Sequence, residues 1–546
     1  MTVFYDPPRF LPCGDMGLSV EFADGIDRSV NDRVQRLFRY LQAKAFPGIV
    51  DLNPTYRSLF IQYRPWECSF ENLVLIVEKA LEAPDEGQVR QAAPVRIPVC
   101  YGGIYGPDMD EVAAFHGMSP DEVVRLHAAP EYYVYMIGFT PGFPYLGGLD
   151  ERLFTPRKKV PRKWVSAGSV GIADRQTGIY SIDSPGGWQL IGKTPLRLFD
   201  RQRPEPFLLN PGDLLQFIPI TVFSLSPLRK MNLNAVRIIE PGPLSTVQDR
   251  GRFVYQDRGV PVSGAMDLQA FRIANFLAGN RDDVAGIEIT WGGFRAEFLG
   301  DSQIAVTGAD PKPRLNGRAF PCWSGISVQK GDVLEMDYPE TGCRTYLALS
   351  GGVDVPEVMG SRSTYVRGGF GGYMGRALQK GDVLGMGQGG WTSVSACPRA
   401  LIPKYCDHPV LRVTLGPQAD ALTHESLGLF FLSPYIVTDR CDRMGCSLKG
   451  PVLAHLHKAD IVSDGTAFGA VQVPGNGQPI ILMADRQTIG GYAKPATVIS
   501  VDLPLLAQLV PESYVRFEAV SLWTARELAV TAEYRFQKWI RHEPSC

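Results

Sequence analysis

The chain has 546 residues, of which 45% are hydrophobic and 21% are charged, and its formal net charge is −2. At about 100–200 residues per domain, this length predicts three or four domains. The balanced charge excludes an electrostatic reason to bind nucleic acid or an anionic membrane. The chain shows no signal peptide at its start, and no apolar run approaches the roughly 20 residues of a membrane helix. We therefore expect a cytoplasmic protein.

The first part of the chain predicts two units. Residues 1–92 are typical of a small α/β domain, because apolar residues recur at helical spacing behind Asp27 and again behind Ser69, with an alternating strand between them. Residues 93–228 contain a helix that starts at Ser119 and then short runs separated by glycine, proline and aspartate. That texture predicts a β-barrel or a sandwich.

The second part of the chain restarts as strands. Residues 229–400 contain one clear helix, which begins at Asp267 as N-cap and ends at Gly279 as C-cap. A polar, proline-containing break near residue 400 separates this unit from residues 401–546. The overall expectation is a mainly β protein with α+β parts.

Internal repetition predicts that the two halves contain related barrels. The string Asp-Arg-Gln-Thr occurs at 174–177 and again at 485–488, each time followed by a tyrosine and then by a lysine, Lys193 or Lys494. Farther along, PGDLLQF (211–217) parallels PESYVRF (511–517). Two matches in the same order, about 300 residues apart, favour a duplicated architecture.

Two segments resemble known site motifs, a phosphate loop and a metal site, but their surroundings favour a purely structural role. Residues 187–194 satisfy the pattern GxxxxGK[ST], but bulky residues fill the loop and an alternating strand follows, so a turn that presents Gln189 and Lys193 to a cleft is favoured over a phosphate loop. His455 and His457 share a strand face, but no second ligand set supports a metal. The ten scattered cysteines form no CxxC pair, so we expect reduced thiols and no metal site.

Two features leave alternatives open. His127 ends a helix, where it could complement the helix dipole or face a cleft. The loop 138–148 places Phe143 and Tyr145 among glycines and prolines, which fits either a rigid pocket-lining loop with an exposed apolar patch or a packed Ω-loop. No nucleophile motif supports covalent catalysis.

Long segments of both halves resemble one known family. Segments 135–157 and 166–200 are similar to the smaller Kip-type protein, also called allophanate hydrolase subunit 1 or the B subunit of 5-oxoprolinase. Segments 238–252, 260–280, 350–365, 442–450 and 482–504 are similar to the larger partner, allophanate hydrolase subunit 2 or the C subunit of 5-oxoprolinase. The chain is identified as a fusion of the two, related to the carboxyltransferase part of urea amidolyase.

The resemblance implies both a fold and an activity. The fold would be a cyclophilin-like β-barrel in each half, with the small α/β domain in front and a cleft shared by the halves. The activity would be ATP-dependent hydrolysis of 5-oxoproline, a small cyclic amide, to glutamate together with a separate A-type component. ATP would then act through the complex. Whether the chain also forms a homo-oligomer is left open.

Two alternative functions accompany this resemblance. One is carboxyl transfer to a urea-like substrate with biotin on a partner chain, because this chain lacks a biotin-attachment segment. The other is inhibition of a histidine kinase without turnover.

Chemistry at an N–C=O group needs cations or donors at the oxygen and a base near the nitrogen or water. The residues predicted to form the catalytic set are Asp174, Lys193, Asp485 and Lys494. Side chains of complementary chemistry are predicted to bind the substrate: His127, Phe143, Tyr145, Arg175, Gln176, Tyr180, Gln189, Gln248, Asp267, Arg362, Asp442, Arg443, Gln487 and Tyr492. Many of them could instead stabilise turns, as Asx-turn or buried-pair residues do.

Overall fold

The computed structural model describes residues 2–83, 94–220 without 202 and 204, and 235–541 without 388 and 390–395. Strands dominate the described chain, and the mainly β prediction is confirmed. The predicted domain boundaries at 92/93 and 228/229 lie outside the described residues, and the four-domain division stays a prediction. None of the described helices has the length and hydropathy of a membrane span.

The N-terminal unit is a four-stranded antiparallel sheet, in the order β1-β2-β4-β3, covered by two helices. Asp27 and Ser69 cap the two helices through their side chains, as the sequence predicts. The apolar face of the first helix, including Val34 and Leu41, is buried in the same core as the sheet. The elements are β1 (Phe4–Pro12), β2 (Gly17–Ala23), α1 (Arg28–Lys44), β3 (Ile49–Pro54), β4 (Ser58–Tyr63) and α2 (Phe70–Glu82).

The next unit is a closed barrel of seven strands, with the ring order β5-β13-β6-β7-β10-β9-β12. Ser119 caps the second of its helices by accepting from the amide of Glu122 at 3.2 Å, as predicted. The elements are β5 (Val95–Tyr101), α3 (Met109–His116), α4 (Pro120–Ala128), β6 (Tyr132–Ile137), β7 (Pro144–Gly147), β8 (Arg162–Val165), β9 (Ser169–Ala173), β10 (Gln176–Ile179), β11 (Ser184–Gly186), β12 (Gln189–Lys193) and β13 (Leu214–Pro219).

The third unit packs a seven-stranded sheet against a five-stranded sheet. Side chains from both sheets, such as Val236 and Ile287, fill one buried core. Its helix is capped by Asp267, as predicted. The elements are β14 (Ala235–Pro241), β15 (Leu244–Gln248), α5 (Leu268–Leu277), β16 (Gly286–Thr290), β17 (Phe294–Phe298), β18 (Ser302–Gly308), β19 (Arg314–Leu315), β20 (Arg318–Ala319), β21 (Ser324–Val328), β22 (Val333–Met336), β23 (Arg344–Leu349), β24 (Val353–Asp354) and β25 (Val383–Met386).

The fourth unit is a second seven-stranded barrel, with the ring order β26-β33-β27-β28-β31-β30-β32 and one further strand, β29, paired to β32. A long C-terminal helix follows the last strand. The elements are β26 (Val410–Leu415), α6 (His424–Leu432), β27 (Tyr435–Cys441), β28 (Gly445–Lys449), β29 (Asp460–Gly465), β30 (Ala470–Val473), β31 (Ile480–Leu482), β32 (Ile489–Val498), α7 (Leu503–Ala507), β33 (Tyr514–Ala519) and α8 (Leu522–Ile540).

When the seven ring strands of each barrel are numbered in chain order, the two barrels have the same order of neighbouring strands. In each barrel the last strand runs parallel to the first and antiparallel to the second. The repeated segments 211–217 and 511–517 lead into these equivalent last strands, β13 and β33. The predicted relationship between the halves is therefore confirmed.

The repeated Asp-Arg-Gln-Thr strings do not occupy equivalent positions. The first lies at the β9–β10 turn, whereas the second lies between β31 and β32. The lysines also occupy different positions in the two barrels. Lys193 pairs with Cys100 of β5, and the equivalent pair in the second barrel is Thr497 with Thr414. The residue equivalent to Lys193 is therefore Thr497 and not Lys494. This part of the repeat is a chance match.

The C-terminal helix α8 fastens the N-terminal unit to the third unit. Arg526 donates to the Tyr63 hydroxyl at 3.1 Å and covers the Phe70 ring at 4.2 Å. Farther along α8, Glu533 accepts two hydrogen bonds from Arg272 of α5, at 2.6 and 2.9 Å.

Candidate functional site

His127 lies in the buried core of the first barrel, and both of its ring nitrogens are occupied. Nδ1 is 2.8 Å from the Tyr101 hydroxyl, and Nε2 is 2.8 Å from Thr177 Oγ1. The ring stacks on Phe217 with the centroids 4.5 Å apart. Burial lowers the pKa of His127 to about 3, so the ring is neutral near pH 7 and cannot complement the helix dipole as a cation.

The aromatic loop 138–148 is packed. Phe143 is buried and meets Tyr145, Tyr180 and Trp188 edge-on, with centroids 5.1–5.4 Å apart. The exposed apolar patch expected for the pocket-lining alternative is absent at Phe143, and the packed-loop alternative describes this loop. Its aromatic rings belong to one buried cluster with Tyr180 and Trp188.

The first Asp-Arg-Gln-Thr string forms a hairpin turn. Asp174, at φ +52°, and Arg175 make the two-residue connection between β9 and β10. Both side chains are exposed, and their contacts are local: Asp174 pairs with Arg157 at 3.2 Å, and Arg175 lies over the Phe154 ring at 5.7 Å. Gln176 points elsewhere and donates its amide hydrogen to the Tyr56 hydroxyl of the N-terminal unit.

The segment that matches a phosphate loop is mostly strand β12. Gln189 is buried and donates to the carbonyl of Pro156 at 3.1 Å, and Lys193 donates to Ser166 Oγ at 2.9 Å. In the described part of the chain it is followed by no helix that could offer amides to a phosphate, since the next element is strand β13. The segment does not fit a nucleotide phosphate.

Several candidates of the second half stabilise local structure. Gln248 donates to Thr246 and to the Thr364 carbonyl, and Arg362 Nε donates to the Val355 carbonyl at 2.8 Å. Three other candidates are spread along the second barrel, where Asp442 closes a turn, the Gln487 carbonyl accepts from a threonine, and Tyr492 is exposed on β32.

Three predicted residues do come together in one buried network. Arg443 donates two hydrogen bonds of 3.0 Å to Asp485 and a third of 2.5 Å to Glu288. The other oxygen of Glu288 accepts from the Tyr346 hydroxyl, which in turn accepts from the amide of Asp267 at 2.7 Å. Burial raises the pKa of Asp267 to about 6. This network ties the third unit to the second barrel.

Lys494 is also buried, at the contact with the N-terminal unit. Its Nζ lies 3.6 Å from Asp464 Oδ2 and makes no hydrogen bond within the described part of the chain. Asp464 accepts from Ser58 Oγ of β4 at 2.6 Å, and the Lys494 and Arg57 charges help to lower the pKa of this carboxyl despite its burial. Lys193, by contrast, is bound to Ser166 of the first barrel.

A cleft of about 250 Å³ lies between the N-terminal unit, the loop 249–267 and the second barrel, with α8 along one side. Its wall is largely apolar and contains four arginines. Of the described residues predicted to form the site, none lines this cleft, although Asp267 and Asp485 are each next in sequence to residues that do. The charged and hydroxyl-bearing lining residues are Asp15, Arg64, Arg250, Ser263, Arg272, Arg486, Thr497, Ser500 and Glu533.

Arg486 lines the cleft without a carboxylate partner. Its Nε donates to the Thr466 carbonyl at 3.1 Å and one Nη donates to Gln256 Oε1 at 3.3 Å, and it has no ion pair among the described residues. Gln256 is held in turn by Asp51 Oδ2 and by Gln62 Oε1, both at 3.1 Å. Burial lowers the pKa of Arg486 to about 10, so the guanidinium is still charged at neutral pH.

The carboxyl group behind Arg486 is itself unusual. Burial, together with the nearby Asp257, raises the pKa of Asp51 to about 7. Asp51, Gln256 and Arg486 come from three different units, so the network forms only where the N-terminal unit, the loop 249–267 and the second barrel meet. The titratable carboxyl of Asp51 is therefore linked to the cleft-lining guanidinium of Arg486 through two consecutive hydrogen bonds.

Two further lining groups are left without strong partners. Among the described residues, the one ion pair of Arg250 is with Asp282, at 3.5 Å, whereas the neighbouring Arg272 is paired with Glu533 and Asp282. Ser263 has φ +56°, and its buried hydroxyl has no partner within the described residues. A non-glycine residue in this region is strained, and such strain is concentrated at functional sites.

Comparison with known proteins agrees with this organisation. Residues 8–209 match the family model "Carboxyltransferase domain, subdomain C and D", and residues 258–519 match "Carboxyltransferase domain, subdomain A and B". The chain is 43% identical to the 5-oxoprolinase B subunit from Bacillus subtilis, over 40% of this chain and 95% of that protein. It is 37% identical to the 5-oxoprolinase C subunit from Escherichia coli, over 56% of this chain and 99% of that protein.

The chain belongs to the family of the 5-oxoprolinase B and C proteins, joined in one polypeptide. A solved structure of the protein TTHA0988 covers 92% of this chain and 99% of its own, with 34% identity and a TM-score of 0.83. The urea amidolyase structure from Kluyveromyces lactis is 32% identical over 56% of this chain and 20% of that one, with a TM-score of 0.53. Fusion of the two protein types is thus confirmed.

The cleft lies between the two halves of the chain that the family models match. Gln62 and Arg64 belong to the B-like half, whereas Ser263 and Arg486 belong to the C-like half. The halves do share a cleft, but the N-terminal unit forms the B-like wall and the first barrel does not. Sequence reasoning did not select Arg486 as a candidate, although it stands inside the second Asp-Arg-Gln-Thr string.

Proposed function

We propose that this chain is the fused B–C component of an ATP-dependent 5-oxoprolinase, which opens the lactam of 5-oxoproline to glutamate with a separate A-type component. The observation that supports this proposal most is the cleft, because its walls come from both the B-like and the C-like half and it contains a buried cation, Arg486, without a carboxylate partner. Neither half alone would complete it.

The chemistry of the lining fits a small molecule that carries a carboxylate beside an amide. Arg486 offers an unpaired guanidinium, and Arg250 is held only weakly by Asp282. Guanidinium–carboxylate pairs in partly desolvated sites are strong and directional. We assign the carboxylate of 5-oxoproline to these two arginines.

The lactam of the substrate would then face the hydroxyl of Ser263 and the amide of Gln62. Both groups line the cleft, and the Ser263 hydroxyl is free to donate. A donor placed at the amide oxygen stabilises the charge that collects there when the ring opens. Apolar side chains such as Phe60 and Phe253 exclude water around these contacts and strengthen them.

The buried networks would act as positioning groups. Asp51 and Gln256 hold Arg486 from behind, and Asp485 with Arg443 fixes the chain just before it. The four residues predicted to be catalytic, Asp174, Lys193, Asp485 and Lys494, stay predictions, and within this proposal Asp485 positions the site without touching substrate.

Nucleotide binding is assigned to the third component or to its contact with this chain. Residues 187–194 do not fit a nucleotide phosphate, because they form a strand with Gln189 buried and Lys193 bound to Ser166. We therefore assign no contact with ATP to residues 187–194. The cytoplasmic location and self-association also stay predictions.

The test is release of ADP and of glutamate from ATP and 5-oxoproline. We expect both products only when this chain and an A-type component are mixed, and neither protein alone should release them. An Arg486→Gln chain should bind the third component normally but release little product. No 5-oxoproline-dependent ADP from the complete mixture, with glutamate also absent, would contradict the proposal.

Carboxyl transfer is the second candidate, because both matching family models are described as carboxyltransferase domains and urea amidolyase is similar in structure. It requires a partner chain with biotin attached to lysine. Carboxylation of urea by this chain and a carboxybiotin donor, without turnover of 5-oxoproline, would favour it. Inhibition of a histidine kinase stays a prediction that no observation here supports.

A further inference from the structure

Two cysteines face one another across the hairpin of β27 and β28. Cys441 and Cys446 are directly opposite in the antiparallel register. The next pair toward the tip is hydrogen-bonded, since the Asp442 amide donates to the Gly445 carbonyl at 3.0 Å. Cys441 and Cys446 therefore occupy a non-hydrogen-bonded position, where Cα atoms are about 4.5 Å apart and side chains are closest. That separation lies within the range of disulfide bonds.

A buried arginine lies beside this pair. Arg344 has no ion pair within the described residues, and its guanidinium donates to Cys343 Sγ at 3.3 Å and to the Ala507 carbonyl. The hydrogen bond from the Cys446 thiol and the Arg344 charge lower the pKa of Cys441, despite its burial. The Cys441 contact and burial raise the pKa of Cys446. The pair thus has one thiol suited to lose its proton and one suited to stay protonated.

We propose that Cys441 and Cys446 are a redox-active pair, which a hydroperoxide oxidises to a disulfide across the β27–β28 hairpin. The surrounding geometry supports this assignment over a metal site, because no group of three or more potential ligand residues capable of holding a metal is found in the described ranges. Cys343 contacts the carbonyls of Ala507 and Leu509 and is assigned as a bystander.

The oxidation takes two steps. The Cys441 thiolate attacks the peroxide, so that an S–O bond forms, the O–O bond breaks, and the leaving oxygen takes a proton and departs as water or an alcohol. The Cys446 sulfur then attacks the resulting sulfenic acid, the S–S bond forms, and water leaves with the proton of Cys446. The sulfurs lose two electrons in total, and the peroxide gains them.

The disulfide would close the turn that carries Arg443. Asp442, Arg443, Met444 and Gly445 form the hairpin tip, and Arg443 holds Asp485 and Glu288 from this position. Oxidation would therefore fix the tip from which the buried network is built. The chemistry of the pair is independent of the reaction proposed for the cleft.

Peptide mapping of the full chain tests the pair directly. The reduced protein is treated with hydrogen peroxide, free thiols are alkylated in denaturant, and trypsin is added. Trypsin cleaves after Arg440, Arg443 and Lys449, so the disulfide links two separate peptides, 441–443 and 444–449. We expect this linked pair in peroxide-treated protein and its loss after reduction. Full alkylation of both cysteines after treatment would overturn the proposal.

Single variants distinguish Cys446, the thiol proposed to form the disulfide with Cys441, from the neighbouring Cys343. In Cys446→Ser we expect no linked peptides and a sulfenic acid on Cys441, which dimedone traps. In Cys343→Ser we expect the linked peptides to form as in the parent chain. Linkage of Cys343 to either cysteine, or sulfenic acid confined to the exposed Cys406, would overturn the assignment. If a variant fails to fold, the peptide map of the parent chain still shows whether the disulfide between Cys441 and Cys446 forms.

Discussion

The two barrels share one strand order but differ in what their loops do. In the first barrel the turn with Asp174 and Arg175 is exposed, and the aromatic rings around Phe143 fill the edge. In the second barrel the segment between β31 and β32 is buried at a junction of three units and sends Arg486 into the cleft. A duplicated scaffold can therefore keep its core while one loop between two strands contributes a charged side chain to a cleft.

The largest contrast is expected between the two aspartates of the repeated string. Asp485→Asn replaces one of the two carboxylates that hold the buried Arg443 and leaves Glu288 in place, so it should lower the free energy of unfolding by about 3 kcal/mol. Asp174→Asn should change it by less than about 0.5 kcal/mol, since the side chain is exposed and asparagine tolerates positive φ. Urea unfolding of the two variants measures both values. Equal losses would show that the strings have similar roles.

The two arginines of the string sharpen the comparison in activity. Arg486→Gln removes the unpaired cleft cation and should lower 5-oxoproline-dependent ADP release about 100-fold in the complete mixture. Arg175→Gln is the matched control, because Arg175 is exposed over Phe154, and it should keep activity within about twofold. Loss of activity in Arg175→Gln with retention in Arg486→Gln would move the site to the first barrel.

Titration of Asp51 tests whether the junction is as buried as the contacts around it indicate. Because the pKa of Asp51 is raised to about 7, the folded chain binds this proton more tightly than the unfolded chain. The contribution of Asp51 to stability should be complete below about pH 4, fall as pH rises from about 4 to about 7, and then level off. Asp51→Asn should remove about 2 kcal/mol of that fall, measured by urea unfolding at about pH 5 and about pH 8. An unchanged pH dependence would show that Asp51 is solvated.

The smallest expected effect concerns the contact between the halves. A Cβ at Gly138 would lie 2.2 Å from Ile489 Cδ1, so Gly138→Ala forces a flexible side chain aside and should cost about 1–2 kcal/mol. Gly428→Ala is the control, because it lies in α6 with open space around it and should stabilise by up to about 1 kcal/mol. Thermal unfolding compares them. Equal effects would place residue 138 away from the second barrel.

The sequence predicted where four helices begin, because a helix cap depends on residues that are close together in the chain. The caps at Asp27, Ser69, Ser119 and Asp267 each satisfy backbone amides within three residues, and all four helices are found there. The barrel relationship was also predictable from the segments before β13 and β33.

The site could not be predicted in the same way. Arg486 is held at the cleft by Gln256, which in turn binds Asp51, and both residues are far from Arg486 in sequence. The repeated string was misleading because a four-residue match carries no information about which loop it occupies. His127 was left open because helical position does not reveal that both ring nitrogens meet buried hydroxyls.

A structure of the chain with its A-type component and 5-oxoproline tests the central claim most directly. We predict that the ligand carboxylate lies within hydrogen-bond distance of Arg486, in the cleft between the N-terminal unit and the second barrel. Density for 5-oxoproline beside Gln189 and Lys193 of the first barrel, with the cleft at Arg486 holding no ligand, would contradict the account.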